Sequence, residues 1–234
     1  MDCFPFDVVA FDLDGTLLDT HEDLGAAVNH ALELSGFESV PVESSKDLIG
    51  GGAKTMLQRA LNAQGGVEEA EFRRIYKAML AYYADHCAVH SRPYPDAEAT
   101  LQELKRLGVR LAVITNKFES FARTILTKLE LVDYFDCIVG GDSLGKGDDG
   151  RYLSKPLPDP LLHARAQCGG GSMLFVGDST YDVKAARAAN VPVIAAGYGY
   201  CDKAPDQLGA DGVILSLNGF ARVVNDLWPD RPKT

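Results

Sequence analysis

Asp12 and Asp14 stand one residue apart at the end of the run Val8-Val9-Ala10-Phe11, and Gly15 and Thr16 follow them. Carboxylates at positions i and i+2 of an extended chain point to the same side. Left alone they repel, and one is pushed toward its neutral form. A cation resolves that conflict, and so does a reaction that needs one charged and one neutral carboxyl. Gly15 supplies the turn by which the chain leaves the pair.

Three more polar signals follow in order: Thr115-Asn116-Lys117, then Lys155-Pro156, then Gly177-Asp178-Ser179-Thr180-Tyr181-Asp182. Each residue type has a use in phosphoryl chemistry. A carboxylate can attack phosphorus and split one hard displacement into two easier ones. A second carboxyl can protonate the departing oxygen and later take a proton from water. A few hard oxygen ligands with room left for water suit Mg²⁺. A lysine and short polar side chains can hold the non-reacting phosphate oxygens. Taken singly, the same residues have plainer uses. Asp14-Gly15 is a common turn pair, Thr115 can cap a helix, Lys155 can be a surface lysine, and Asp182 can be a first-turn helix acid.

The elements that must position these residues are legible from hydropathy. Apolar, β-branched runs predict strands over Val8–Asp12, Arg110–Thr115, Cys137–Gly140, Met173–Asp178, Val191–Ala195 and Gly212–Leu215. Between and after them, Ala97–Leu107, Phe118–Leu129, Pro158–Gln167, Thr180–Ala189 and Leu217–Leu227 read as helices. Strands alternating with helices predict an α/β fold, a Rossmann-like parallel sheet covered on both faces. In such sheets ligands sit beyond the carboxyl ends of the strands, where all four signals fall.

Residues 22–90 break the rhythm. Asp23-Leu24, Val28, Ala31-Leu32 and Leu34 are amphipathic at helical spacing, with Gly36 as a stop. Leu57, Ala60 and Leu61 continue the pattern, as do Phe72, Ile75, Met79, Leu80 and Tyr83. The expected domains are therefore a core of 1–18 and 92–234 and an inserted helical cap of 19–91. Within the insert, Ile49-Gly50-Gly51-Gly52-Ala53-Lys54 could present N–H groups to a carboxylate or phosphate, or form a flexible turn between helices. Gly169-Gly170-Gly171 precedes a strand instead of joining strand to helix, so it is no nucleotide loop. Lys146–Tyr152, rich in Gly and Asp, reads as a mobile loop, and His21 as a substrate contact or a solvent-facing side chain.

Composition narrows the partners. The 234 residues are 46% hydrophobic and 24% charged, as in an ordinary globular protein with a real core. A formal net charge of −10 argues against nucleic acid or an anionic membrane, but not against small anions held by a metal and a few lysines. No apolar run approaches a membrane span, and the N-terminal stretch with Asp2 and Asp7 lacks a basic signal region. Five scattered cysteines without a CxxC pair suit reduced thiols, and Cys137 reads as core. These features predict a cytoplasmic protein and leave small anionic substrates open; the expected state is a monomer or homodimer.

The four signals, in this order and spacing, resemble the haloacid dehalogenase-like phosphatase superfamily nearly end to end. The motif from Asp12 to Leu17, the helical insertion after it, Thr115-Asn116-Lys117, Lys155-Pro156 and Gly197-Tyr198-Gly199-Tyr200 resemble its phosphoglycolate phosphatase-like branch. The resemblance implies Asp12 as nucleophile and Asp14 as general acid/base. It implies Mg²⁺ held by the Asp12 carboxylate, the Asp14 main-chain carbonyl and Asp178, with Thr16 and Asp182 supporting that group. It further implies phosphoryl binding by Thr115, Asn116 and Lys155, with Lys155 also paired to the nucleophile. From the glycine-rich stretch of the insert, and not from the resemblance, Gly51 and Gly52 are the expected substrate contacts.

The expected activity is Mg²⁺-dependent hydrolysis of a small phosphate monoester through an aspartyl-phosphate, with phosphoglycolate as the leading substrate. Asp14 separates this from dehalogenation, which needs no proton for its leaving group. A phosphomutase of β-phosphoglucomutase type shares the residues, and a non-catalytic phosphate-binding module shares the fold.

Overall fold

The computed structural model describes residues 4–41 and 52–229. The chain divides into two compact units, Met1–Asp19 with Pro93–Thr234, and Thr20–Arg92.

The first unit is built on a six-stranded sheet. Its strands are β1 (Val8–Phe11), β4 (Arg110–Ile114), β5 (Cys137–Val139), β6 (Met173–Gly177), β7 (Val193–Ala196) and β8 (Gly212–Ile214); β2 (Leu18–Asp19) and β3 (Arg92–Pro93) are two-residue strands outside it. The order is β5-β4-β1-β6-β7-β8 and every pairing is parallel. The chain runs outward from β1 on one side, then returns to place β6 on the other. That reversal opens a crevice at the carboxyl ends of the central strands.

Alternation along the strands buries both faces. Val8, Ala10, Ala112, Ile114, Met173 and Phe175 join one cluster with Leu161, Ala164, Val183 and Ala186 from helices Asp159–Gln167 and Thr180–Ala188. On the other face Phe11 meets Phe220 of helix Phe220–Leu227 at 5.8 Å between ring centroids, and Phe220 also stacks on Phe4. Each such side chain taken from water contributes about 1.5–3 kcal/mol, which fixes the register at the strand ends. Phe11 is level with Val113 and Val176, so Asp12 emerges beside the last residues of β4 and β6.

The second unit holds helices His21–Leu34, Ala53–Asn62 and Glu69–His86. Their inward faces carry Leu24, Val28, Ala31 and Leu32, then Met56, Leu57, Ala60 and Leu61, then Phe72, Ile75, Met79 and Tyr83, all buried. The helical spacing of these residues is the reason the segment folds this way. Gly36 lies at φ +79° just past the first helix, a backbone that glycine adopts without cost. His21 opens the first helix and is buried, so the solvent-facing expectation for it is wrong.

One other expectation needs correction. Cys137 lies in β5 as expected but is only partly buried, because β5 is an edge strand. Lys146–Tyr152 is a closed turn: Lys146 and Tyr152 form an antiparallel bridge, Gly147 N–H donates to the Arg151 carbonyl, and Lys146 Nζ lies 5.2 Å from the Tyr152 ring centroid.

Candidate active site

The loop after β1 is wound tightly. Leu17 and Leu18 N–H both donate to the Leu13 carbonyl, Gly15 N–H donates to the Leu18 carbonyl, and Gly15 takes φ +79°. The Asp12 N–H stays on the sheet, donating to Val176 at 2.8 Å, while Asp12 Oδ1 accepts from Leu13 N–H at 2.7 Å. Asp12 is thus held in one geometry, its N–H by the sheet and its carboxylate by the next backbone N–H.

Lys155, between β5 and helix Asp159–Gln167, reaches Asp12 Oδ1 at 2.8 Å and Asp182 Oδ1 at 2.6 Å, with only 2% of its side chain exposed. Asp178 follows β6. Asp182 sits in the first turn of helix Thr180–Ala188 and is fully buried. Its other oxygen closes a capping box with the N–H and hydroxyl of Ser179. Gly177 lets Asp182 come this close, since a Cβ there would strike its carboxyl group. Asp182 is thus a first-turn helix acid through one oxygen and the ion-pair partner of Lys155 through the other.

Asp12, Asp178 and Asp182 each offer a carboxylate oxygen, all within 4.8 Å of one another, so the trio could hold a metal ion. The electrostatics fit a cation of hard, oxygen-loving type. Burial pushes Asp12 up to about 7, with Asp182 and Asp14 adding to the rise and Lys155 opposing it. Burial, Asp182 and Asp12 likewise push Asp178 well above the ordinary carboxylate range, against the Tyr200 N–H and Lys155. Burial works against the Lys155 ammonium, but Asp12 and Asp182 outweigh it and hold the lysine charged. Three buried carboxylates share one ammonium, and a divalent cation would balance them.

Thr115 and Asn116 follow β4 directly. Thr115 is buried and its Oγ1 accepts the Lys117 N–H at 3.1 Å, leaving its own proton for another acceptor. Asn116 Nδ2 donates to the Lys155 carbonyl at 3.0 Å, tying the two loops together, while its buried Oδ1 has no protein partner. The Thr16 hydroxyl is buried and unpartnered as well. Gly52 is the N-cap of helix Ala53–Asn62 in the second unit, at φ +88°, and Gly51 lies outside the described residues.

Two sets of contacts were not anticipated from sequence. Lys117 Nζ pairs with Asp14 Oδ1 at 2.8 Å. The loop after β7 wraps the β1 loop: Tyr198 Oη donates to the Thr16 carbonyl at 2.7 Å, Tyr200 N–H to Asp178 Oδ2 at 2.7 Å and Tyr200 Oη to Asp19 Oδ1 at 3.0 Å. The Gly197-Tyr198-Gly199-Tyr200 sequence was the available signal, but no spacing rule gives its partners. Burial pushes the Cys168 and Cys201 thiols up to about 11, away from the thiolate form.

A doubly wound parallel sheet with buried carboxylates at its switch point is an α/β architecture with a polar site where such sheets place their ligands. The family model for haloacid dehalogenase-like hydrolases matches residues 9–196, and this chain belongs to that family. It is 39% identical to the phosphoglycolate phosphatase of Neisseria meningitidis serogroup A / serotype 4A, over 96% of this chain and 95% of that protein. It is 41% identical to the phosphoglycolate phosphatase of Neisseria gonorrhoeae over 83% of this chain and 81% of that one. Among solved structures, a predicted phosphoglycolate phosphatase from Haemophilus somnus 129PT superposes with a TM-score of 0.84 at 31% identity, covering 94% of this chain and 98% of that one. Among the described residues, no helix is long and apolar enough to cross a membrane.

Proposed function

We propose that the chain is a Mg²⁺-dependent phosphatase that hydrolyses phosphoglycolate through an aspartyl-phosphate on Asp12. The observation that carries this reading is the placement of Lys155 between Asp12 and Asp182, at 2.8 and 2.6 Å, inside a buried trio of carboxylates. The substrate comes from the relatives, which are named for it.

Asp12, Asp178 and the main-chain carbonyl of Asp14 would hold the Mg²⁺, with Asp182 behind them. When bound, the ion would neutralise phosphate oxygens and keep Asp12 ionised at neutral pH. The Asp12 carboxylate attacks phosphorus, and the phosphorus–oxygen bond to glycolate breaks as the bond to Asp12 forms. Asp14 gives its proton to the departing oxygen. Water then attacks the acyl-phosphate as Asp14 takes a proton back, and Asp12 is released with inorganic phosphate. Lys155, the Thr115 hydroxyl and Asn116 hold the non-bridging oxygens, whose charge must stay stabilised throughout.

A phosphatase screen over small phosphorylated metabolites, run with Mg²⁺ and with EDTA, tests the reading. Phosphoglycolate is expected to give the highest kcat/KM and EDTA to abolish turnover. Turnover indifferent to chelation, or a sugar phosphate isomerised faster than it is hydrolysed, would overturn it.

A further inference from the structure

Lys117 is the third residue of the β4 signal, and its side chain is only 4% exposed. Its ammonium stands 2.8 Å from Asp14 Oδ1. Both ends of its backbone are pinned. Its N–H donates to Thr115 Oγ1 at 3.1 Å, and its carbonyl accepts from Gly141 N–H at 2.8 Å. Gly141 itself packs so closely on the Asn116 carbonyl that a Cβ would lie 2.5 Å from it. The lysine stem therefore starts from a rigid turn and brings its ammonium to Asp14 Oδ1.

We propose that Lys117 is a positioning residue for leaving-group protonation: by holding Asp14 Oδ1 it fixes the plane of that carboxyl and the direction in which Oδ2 presents its proton. A lysine so enclosed and already paired has little surface left for reading substrate. The arrangement also links two functions in one turn, since the Thr115 hydroxyl that accepts from Lys117 N–H is the group assigned to the phosphoryl oxygens. In the first half-reaction the phosphorus–oxygen bond to the leaving group breaks, the bond to Asp12 forms, and the proton passes from Asp14 to the leaving oxygen. The Asp14 carboxylate so produced keeps its ion pair with Lys117 until water returns the proton.

This inference rests on the acid/base role proposed above for Asp14, and the experiment separates the two. Lys117→Met, Lys117→Arg and Asp14→Asn are compared with wild type in single-turnover release of the leaving group, the half-reaction that precedes hydrolysis of the aspartyl-phosphate, on phosphoglycolate, whose alkoxide leaving group needs a proton, and on 2,4-dinitrophenyl phosphate, whose leaving group does not. Thermal unfolding confirms that each variant is folded. Lys117→Met is expected to slow release of glycolate from phosphoglycolate by on the order of 10- to 100-fold, with little change in dinitrophenolate release from the aryl ester and in KM, and Lys117→Arg to recover part of the loss. If Asp14→Asn discriminates between the substrates and Lys117→Met does not, the Lys117 proposal fails alone. Loss appearing mainly in KM would also overturn it, by making Lys117 a substrate contact. If Asp14→Asn slows both substrates equally, the acid/base role fails and the inference with it.

Discussion

Gly199 lies directly against Gly15: a Cβ on Gly199 would collide with the Gly15 carbonyl oxygen and with the Asp178 carboxyl group. The loop after β7 therefore clamps the turn that aims Asp12 and Asp14, and glycine is required there for lack of space. Gly199→Ala must push the two loops apart at a cost of about 1–3 kcal/mol. We expect kcat to fall at least about 10-fold, since small misplacement of reacting groups is costly. Unfolding midpoints and steady-state kinetics on the same preparation check this; unchanged kcat would show that the clamp does not position the site.

Lys155 is the charge that three buried carboxylates share. Lys155→Met removes it and leaves them uncompensated, which costs about 3–5 kcal/mol for a broken buried ion pair. The metal-free variant should unfold at distinctly lower urea than wild type at neutral pH and should show no measurable turnover with Mg²⁺. Wild-type stability in the variant would mean that the carboxylates find another counter-charge.

Stability of the metal-free protein should fall as pH rises through the acid range. A carboxyl whose folded pKa is raised keeps a proton in the native state that the unfolded chain has already released. For Asp12 that window runs from the ordinary 3.8 to about 7, and Asp178 shifts in the same direction. Each such proton contributes a decline of up to about 1.4 kcal/mol per pH unit. Asp178→Asn keeps an oxygen for the Tyr200 N–H but removes one charge. It should be more stable than wild type at neutral pH without metal, with a shallower decline, and should gain less from added Mg²⁺. Urea titrations across the range decide it, and a variant less stable at every pH would contradict the account.

Asp23 performs a purely structural task in the helical unit. Its carboxylate accepts from the N–H groups of Val89, His90 and Ser91 and from the Ser91 hydroxyl, the last at 2.6 Å. Asp23→Ala should cost roughly 2–4 kcal/mol, because several buried donors lose a charged acceptor at once. Amide exchange at residues 89–91 should accelerate well before the helices themselves open, which hydrogen-exchange measurements would show.

The elements were readable because hydrophobic period sets them. Each of the six predicted strands overlaps an observed one, but several predicted ends run one residue too far, as at Asp12, Thr115 and Asp178. Those residues are the polar ones that end each apolar run, and they lie one position beyond the last paired strand residue, where the site begins. Helix Phe220–Leu227 begins three residues later than predicted, because Gly219 takes a left-handed φ of +71° at its N-cap. The acids and Lys155 were legible from residue type and position after strands. The Lys117–Asp14 pair and the tyrosine contacts were not, because they depend on where loops distant in sequence meet. Gly51, assigned to substrate contact from sequence, lies outside the described residues.

The most direct test of the central claim is a rapid acid quench of the enzyme during turnover with ³²P-phosphoglycolate and Mg²⁺, followed by peptide mapping. The account predicts a phosphoryl group carried on Asp12 that turns over at the catalytic rate, and none in Asp12→Asn, which should also be inactive. Label on another residue, or an Asp12→Asn enzyme that still hydrolyses the substrate, would contradict it.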